Sequence, residues 1–173
     1  MLKLSNRKYN KLGILGGTFD PPHKGHLYVS KIVAKKLKLN KIIWVVTKKN
    51  PLKKVAHIST KERIKLSKKI TSKERKISVL YLDDIVKSSN TFDVLNYLKN
   101  KYKKTKLYFI IGADNLVKFH KWNNWKKIPS LSKIVIFPRQ NYSIRSLNQH
   151  VLKNLKKNDF IYINSKKINI SSS

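Results

Sequence analysis

The sequence predicts an α/β fold of the Rossmann-like, doubly wound type, with one parallel sheet of about six strands. Short apolar runs of strand length alternate with segments whose apolar residues recur at helical spacing, from residue 11 to residue 163. This alternation is typical of βαβ units, whose strands pair in parallel through right-handed crossovers. At 173 residues, without an internal repeat or a linker, the chain has the length of a single domain with its own core.

The predicted strands and helices follow one another along the chain. The first ten residues are polar, so we expect residues 1–10 to be flexible and the domain to cover residues 11–173. Strands are predicted at about 11–16, 41–47, 77–81, 107–111, 134–137 and 160–163, and helices from the first turn to about 39, then at about 60–70, 92–102, after 115 and at 144–155. Ser59 or Thr60 is expected to cap the second helix.

The most distinctive segment follows the first strand and reads Gly-Gly-Thr-Phe-Asp-Pro-Pro-His-Lys-Gly-His over residues 16–26. A strand, a glycine-rich turn and a helix together offer backbone N–H groups and a positive helix end to a phosphate. His23 and His26 are three residues apart, which puts both imidazoles on one side of the first helical turn. Gly25 lacks a side chain, so a phosphate can approach its backbone closely. A Gly-Gly turn or a single histidine is usually structural, but their combination here predicts a phosphate site.

The balance of charge is strongly basic, with 40 Lys and Arg against 8 Asp and Glu and a formal net charge of +32. Such an excess normally indicates nucleic acid or anionic membranes as partners. Here the basic residues are spread over nearly every helix and loop, and 35 of the 40 are lysine. Because recognition of bases and phosphates favours the arginine fork, we interpret the charge as a composition bias and do not expect nucleic acid as a partner.

Cysteine and long apolar runs are both missing from the sequence. Without cysteine the chain has neither disulfides nor cysteine-ligated metals. No apolar run approaches the length of a membrane span, and the N-terminus has no signal-peptide core. We therefore expect a cytoplasmic protein without a membrane partner.

Residues 16–26 resemble the signature of the HxGH nucleotidyltransferases, and the fuller GGTFDPxHxGH form resembles that of the bacterial nicotinate-nucleotide adenylyltransferases. The resemblance implies transfer of an adenylyl group from ATP to nicotinate mononucleotide, giving nicotinate adenine dinucleotide and pyrophosphate. It implies His23 and His26 as the catalytic residues, which hydrogen-bond phosphoryl oxygens with Lys24 in support. Mg²⁺ is expected to arrive with ATP, without a metal site of the protein. Because a phosphate is already an anionic nucleophile, no general base is expected.

Four weaker motifs occur in the order found in that family. Residues 109–114 resemble the FIIGxD segment beside the adenosine, and Trp122 matches a tryptophan that stacks on the pyridine ring. Residues 89–91 resemble the SxT segment that contacts the nicotinate carboxylate, and residues 50–53 resemble the NPxK loop that closes over the mononucleotide. The residues alone allow a structural interpretation of each segment: residues 109–114 as a strand stopped by a turn, Trp122 as a core residue, residues 89–91 as a helix N-cap and residues 50–53 as a basic loop.

The resemblance extends over residues 11–173, and most of the residues it selects follow predicted strands, so we expect them to share one rim of the sheet. It implies that ATP is bound by Gly16, Gly17, Thr18, Phe19, His23, Gly25, His26, Gly112, Asp114, Arg139, Ile170, Ser171 and Ser172. It implies that nicotinate mononucleotide is bound by Asp20, Lys49, Asn50, Thr91 and Trp122. The three remaining histidines, which lie outside every motif and are interpreted as structural or surface residues, are His57, His120 and His150.

The end of the chain resembles the beginning of the ISSTxxR motif, which opens a helix and holds the triphosphate. The family pattern continues to an arginine that this sequence does not reach. We expect a chain truncated within this motif, and the alternative is that another cation takes the place of the arginine.

Other functions remain open from the sequence. Nicotinamide mononucleotide differs from nicotinate mononucleotide by one carboxylate, and phosphopantetheine is the acceptor of related adenylyltransferases that typically carry threonine at the place of His23. A non-catalytic, basic nucleic-acid-binding protein is the alternative from a different class, and it leaves residues 16–26 unexplained.

Overall fold

A computed structural model describes residues 9–49, 55–138 and 149–164 of the chain. Six parallel strands form one sheet in the order β3-β2-β1-β4-β5-β6. The strands are β1 (Lys11–Gly17), β2 (Lys41–Val46), β3 (Ile77–Tyr81), β4 (Lys106–Gly112), β5 (Lys133–Phe137) and β6 (Phe160–Tyr162). The helices are α1 (Lys24–Lys36), α2 (Thr60–Thr71), α3 (Asp83–Val86), α4 (Thr91–Lys101), α5 (Ala113–Val117), α6 (Ile128–Leu131) and α7 (Gln149–Asn154), and short 3₁₀ turns lie at Phe119–Lys121, Trp125–Lys127 and Lys157–Asp159.

The winding direction of the sheet changes between β1 and β4. The chain builds outward from β1 through β2 to β3, then returns to the other side of β1 and continues through β4 and β5 to β6. The carboxyl ends of β1 and β4 therefore lie side by side where the direction reverses. In doubly wound sheets this switch point is where ligands bind.

Both faces of the sheet are covered, which explains why its strands are continuously apolar. Ile14 and Phe109 belong to the core cluster on one face, together with Leu95 of α4. Leu15 and Ile110, the next residues along the same two strands, belong to the cluster on the opposite face. Successive side chains of a strand point to opposite faces, so two buried faces require the apolar runs that the sequence contains.

Several helices differ from the sequence prediction. Helix α1 ends at Lys36 instead of continuing to residue 39, because Lys38 takes a left-handed backbone with φ of 52° and turns Leu39 into the core. Helices α3 and α6 were not predicted, since four residues are too short for a helical period to be recognised. The predicted helix at 144–155 is described from residue 149 onward, and its earlier part lies outside the described residues.

Within the described residues, no helix combines the length and the apolar character required to cross a membrane.

Candidate active site

The turn after β1 is anchored in the core by Phe19. This residue has a left-handed backbone with φ of 51°, which is unusual for a bulky side chain. Its ring is 2% exposed and stacks on the buried Trp44 at a centroid distance of 4.9 Å. Packing thus holds the turn in its strained conformation. The side chain of Phe19 lies mainly in the core, and it supports the turn that carries the other site residues.

His23 and His26 cap the first turn of α1 reciprocally. The Gly25 N–H donates to Nδ1 of His23 at 3.1 Å, and the His23 N–H donates to Nδ1 of His26 at 3.2 Å. The pattern is that of a capping box, with imidazoles in place of the usual hydroxyl and carboxylate. Because each Nδ1 accepts a hydrogen bond, we assign the ring proton of each neutral imidazole to Nε2. The two rings lie side by side, 3.9 Å between centroids, as their spacing in the sequence predicts.

Residues of the core hold His26 in position. Its carbonyl accepts a hydrogen bond from Ser30 Oγ at 2.8 Å, and Ser30 Oγ in turn accepts the Nε1–H of Trp44 at 2.8 Å. The ring of Phe19 lies 4.9 Å from that of His26, between centroids. Three buried residues therefore hold His26: Ser30 bonds its backbone carbonyl, and Phe19 and Trp44 lie beside its ring.

A cleft of about 690 Å³ opens above the carboxyl ends of β1 and β4. Its size is in the range of pockets for small ligands. The predicted site residues that line it are Gly16, Gly17, Thr18, Phe19, Asp20, His23, His26, Lys49, Thr91, Gly112, Asp114 and Trp122. The single shared rim expected from the sequence is thus present.

Among the other predicted site residues, Gly25 is described and is not one of the residues that line this cleft. Gly25 is buried at the start of α1, where its N–H is already donated to His23, so the expected close approach of a phosphate to its backbone is not supported by the geometry. The others, which lie outside the described residues, are Asn50, Arg139, Ile170, Ser171 and Ser172.

On the side of β4, aromatic side chains form the wall of the cleft. Trp122 lies edge-on to Phe109 at 6.0 Å between centroids and tilted against Phe119 at 5.3 Å. Asp114 is in the first turn of α5, whose N-cap is Gly112, so the carboxylate does not cap this helix. Trp122 is half-buried: part of its ring packs against the core, and part of it faces the cleft, where a ligand can contact it.

Asp20 binds a distant segment of the chain. Its Oδ2 accepts the His57 N–H at 2.7 Å, and its Oδ1 accepts the Ile58 N–H at 3.0 Å. Burial alone would raise the pKa of Asp20, but these donors outweigh it and the pKa lies below its ordinary value. The carboxylate therefore stays ionised and ties the segment before α2 to the turn after β1.

His57 is a cleft residue that the sequence did not reveal. Its side chain is 91% exposed and its Nδ1 lies 3.3 Å from Asp20 Oδ2, at the mouth of the cleft. The interpretation as a surface residue is correct for its exposure but missed its place beside the site. Asp20 and His57 are 37 residues apart, so no local pattern could have joined them.

Thr91 begins α4 and lines the cleft, while its predecessor Asn90 is the N-cap residue without a side-chain capping bond. Ser88 Oγ instead accepts the Asn90 N–H at 3.1 Å and donates to Asp93 at 2.6 Å. Among the residues that the structure describes, no three His, Asp or Glu side chains are grouped so that they could hold a metal ion.

Comparison with known proteins places the chain in a group of transferases. The model of the cytidylyltransferase-like family matches residues 14–173. A probable nicotinate-nucleotide adenylyltransferase of Pelagibacter ubique is 49% identical over 168 residues, which are 97% of this chain and 93% of that protein. A probable nicotinate-nucleotide adenylyltransferase of Bradyrhizobium sp. (strain ORS 278) is 34% identical over 80% of this chain and 72% of its own length.

A solved structure agrees with the fold. The Plasmodium falciparum nicotinic acid mononucleotide adenylyltransferase in complex with NaAD superimposes with a TM-score of 0.75, at 21% identity, over 92% of this chain and 77% of that one. The Rossmann-like parallel sheet predicted from the sequence is thereby confirmed.

Proposed function

The chain belongs to the cytidylyltransferase-like family and, within it, to the nicotinate-nucleotide adenylyltransferases, and we propose that it transfers the adenylyl group of ATP to nicotinate mononucleotide. The observation that carries the proposal is the reciprocal capping of His23 and His26. Each Nδ1 is occupied by a backbone N–H, so each ring has its proton on Nε2 and can donate from there. The start of the 13-residue helix α1 adds the positive end of its dipole.

The reaction is an in-line displacement at the α-phosphorus of ATP. An oxygen of the mononucleotide 5′-phosphate forms the new bond to phosphorus, and the bond from phosphorus to the oxygen bridging the α- and β-phosphates breaks. Pyrophosphate leaves with that electron pair. Because the nucleophile is anionic at neutral pH, the site needs positioning and charge stabilisation more than a general base.

His23 and His26 would donate hydrogen bonds to the phosphoryl oxygens as negative charge moves toward the leaving group. Phe19 and Trp44 hold the ring of His26 in place before the substrate arrives, and His23 lies against that ring, so little reorganisation is needed during the reaction. Mg²⁺ would be carried by the triphosphate of ATP, and it would supply positive charge to the phosphate oxygens.

The two ends of the substrates are assigned to opposite parts of the cleft. Trp122 offers a partly exposed ring on which the flat nicotinate ring can stack. Thr91 at the start of α4 and Lys49 after β2 flank the same cleft and suit an anionic mononucleotide. Gly112 and Asp114 are assigned to the adenosine. Asn50, Arg139, Ile170, Ser171 and Ser172 stay predictions of ligand contacts.

The test is a pyrophosphate-release assay with ATP, Mg²⁺ and three separate acceptors. We expect nicotinate mononucleotide to give the highest kcat/KM, and removal of Mg²⁺ by EDTA to stop the release. A higher kcat/KM with nicotinamide mononucleotide or phosphopantetheine would replace the proposed acceptor. Tight, steeply salt-dependent DNA or RNA binding without any pyrophosphate release would instead indicate a nucleic-acid-binding protein. The cytoplasmic location stays a prediction.

A further inference from the structure

Two charged side chains are buried in the described part of the chain, and both lie beside the cleft. Arg63 of α2 is 1% exposed and Asp83 of α3 is 6% exposed. A charge removed from water is costly unless hydrogen bonds replace its hydration. Their burial at one edge of the sheet therefore requires specific partners, which the structure supplies for the guanidinium of Arg63 and for Oδ2 of Asp83.

Arg63 uses every donor of its guanidinium. A guanidinium has five N–H groups in one fixed plane. The five bonds run from Nε to the Ile58 carbonyl (2.9 Å), from Nη1 to the carbonyls of Thr18 (2.5 Å) and Thr47 (2.7 Å), and from Nη2 to the Lys48 carbonyl (3.1 Å) and Thr60 Oγ1 (2.8 Å). Four acceptors are backbone carbonyls from three separate segments: the turn after β1, the end of β2 and the segment before α2. One rigid group thus fixes the distances between them.

Asp83 extends this connection to a fourth segment. Its Oδ2 accepts the Lys48 N–H at 2.7 Å and also the Ser89 hydroxyl, two residues before Thr91. Lys48 is therefore held from both sides, by Arg63 through its carbonyl and by Asp83 through its N–H. Burial lowers the pKa of Arg63, and the negative charges of Asp20 and Asp83 oppose that shift.

The segments joined in this way form the rim of the cleft. Thr18, Thr47, Lys49 and Thr91 all line it, whereas Arg63 and Asp83 are not among its lining residues. We propose that Arg63 is a positioning residue, which sets the gap between the histidine turn and the mononucleotide-binding edge through its bonds to Thr18, Thr47 and Lys48. This inference rests on the proposed function, because that function assigns the two sides of the gap to the two reacting phosphates.

The kinetic test compares Arg63→Lys with Arg75→Lys, a matched control at an exposed arginine. A lysine keeps the charge but has three donors on a flexible stem, so it cannot satisfy five acceptors in one plane. A misplacement of about 1 Å can cost about 10²-fold in rate. We expect Arg63→Lys to lower kcat by about 10-fold to 100-fold and to raise KM for nicotinate mononucleotide more than KM for ATP. Arg75→Lys should match the wild type.

A second measurement does not depend on turnover. In the ligand-free protein, amide hydrogen exchange at Lys48, His57 and Ile58 reports the bonds that hold the rim. We expect Arg63→Lys to accelerate exchange at these amides by about tenfold or more and to leave the amides of β5 unchanged. Failure of the proposed function would appear separately, as a wild type that releases no pyrophosphate.

Two outcomes would overturn the positioning role. One is a uniform rise in exchange over the sheet with unchanged kcat and KM per folded molecule, which is the signature of a purely structural arginine. If Arg63→Lys gives no folded protein, Asp83→Asn takes its place, because this variant keeps the volume and removes one charge. The second outcome that would overturn the role is then an unchanged KM of Asp83→Asn for the mononucleotide. If Arg63→Lys accelerates exchange only at the rim but the wild type releases no pyrophosphate, both the assigned reaction and the positioning role in that reaction are rejected.

Discussion

The two walls of the cleft are held by different forces. The polar wall, residues 17–26, 47–49 and 57–63, is fixed mainly by directional hydrogen bonds that Arg63 donates and that Asp20 and the two capping histidines accept, with the ring of Phe19 packed beneath it. The aromatic wall, residues 109–125, is fixed by contacts among Phe109, Phe119, Trp122 and Trp125. A substitution that keeps volume but loses a donor should damage the polar wall, and one that loses volume but no donor should damage the aromatic wall.

The largest expected effect is the loss of Phe119 from the aromatic wall. Its ring is completely buried and lies against both Trp122 and Trp125. Phe119→Ala should lower the free energy of unfolding by about 3–5 kcal/mol, through lost burial and the remaining cavity. Phe119→Leu, which keeps most of the volume, should cost about 1.5 kcal/mol or less. Urea unfolding of the three proteins measures this, and equal losses for both variants would reject packing as the basis of this wall.

On the polar wall, the largest effect is expected at His26. His26→Ala removes the donor assigned to the phosphoryl oxygens, which should lower kcat by about 10²–10³-fold. The lost capping bond should cost only about 1 kcal/mol of stability. His26→Gln is the matched variant, since its amide can keep an acceptor for the His23 N–H and a donor for the substrate. Pyrophosphate release under saturating substrates measures kcat, and an unchanged rate in the alanine variant would remove His26 from the mechanism.

The sequence predicted the aromatic wall more completely than the polar wall. Strand β4 is a continuous apolar run, so its length and composition predicted it, and the other aromatic residues of this wall follow it directly along the chain. The role of Trp122 was implied by the resemblance of its segment to that of the adenylyltransferases. The glycine-rich turn with its paired histidines was also recognisable, because its residues are neighbours in the chain. Local patterns identify interactions between residues that are close in sequence.

The support of the polar wall could not be predicted in this way. The fully or nearly buried residues of α2 are Arg63, Ser67 and Thr71, spaced four apart, and their polar types are typical of a solvent-exposed face. The burial of Arg63 depends on carbonyls up to 45 residues away, such as that of Thr18. Asp20 likewise reaches a segment 37 residues distant. These bonds result from the tertiary structure, and no periodicity encodes them.

A smaller effect is expected where the aromatic wall meets the substrate. Trp122→Ala removes the partly exposed ring proposed to stack on nicotinate, and stacking of one base on an aromatic side chain contributes about 1–3 kcal/mol. KM for nicotinate mononucleotide should rise by about tenfold, with KM for ATP changed by less than about threefold. Trp122→Phe keeps a flat ring and should recover most of the loss. Equal rises in both KM values would show that the ring supports the cleft as a whole.

The smallest effect is expected for the pH dependence of stability at Asp20. It separates the contribution of charge from that of hydrogen bonding in the polar wall. The N–H donors of His57 and Ile58 hold the folded pKa of Asp20 below its ordinary value of 3.8. A carboxyl with a depressed folded pKa stabilises the fold fully above the unfolded pKa, and this contribution is lost as the pH falls through the folded pKa. Asp20→Asn keeps the shape and an acceptor oxygen but cannot titrate.

The stability of the wild type should therefore exceed that of Asp20→Asn near pH 6 by about 1 kcal/mol, the difference between charged and neutral hydrogen bonds. The excess should shrink below about pH 4, because the unfolded chain then takes up the proton first. Urea unfolding of both proteins from about pH 6 to about pH 3 measures the difference directly and cancels the contributions of the other acids. Parallel profiles would mean that the segment at His57 is held by its N–H geometry alone, and that the charge of Asp20 contributes nothing to the polar wall.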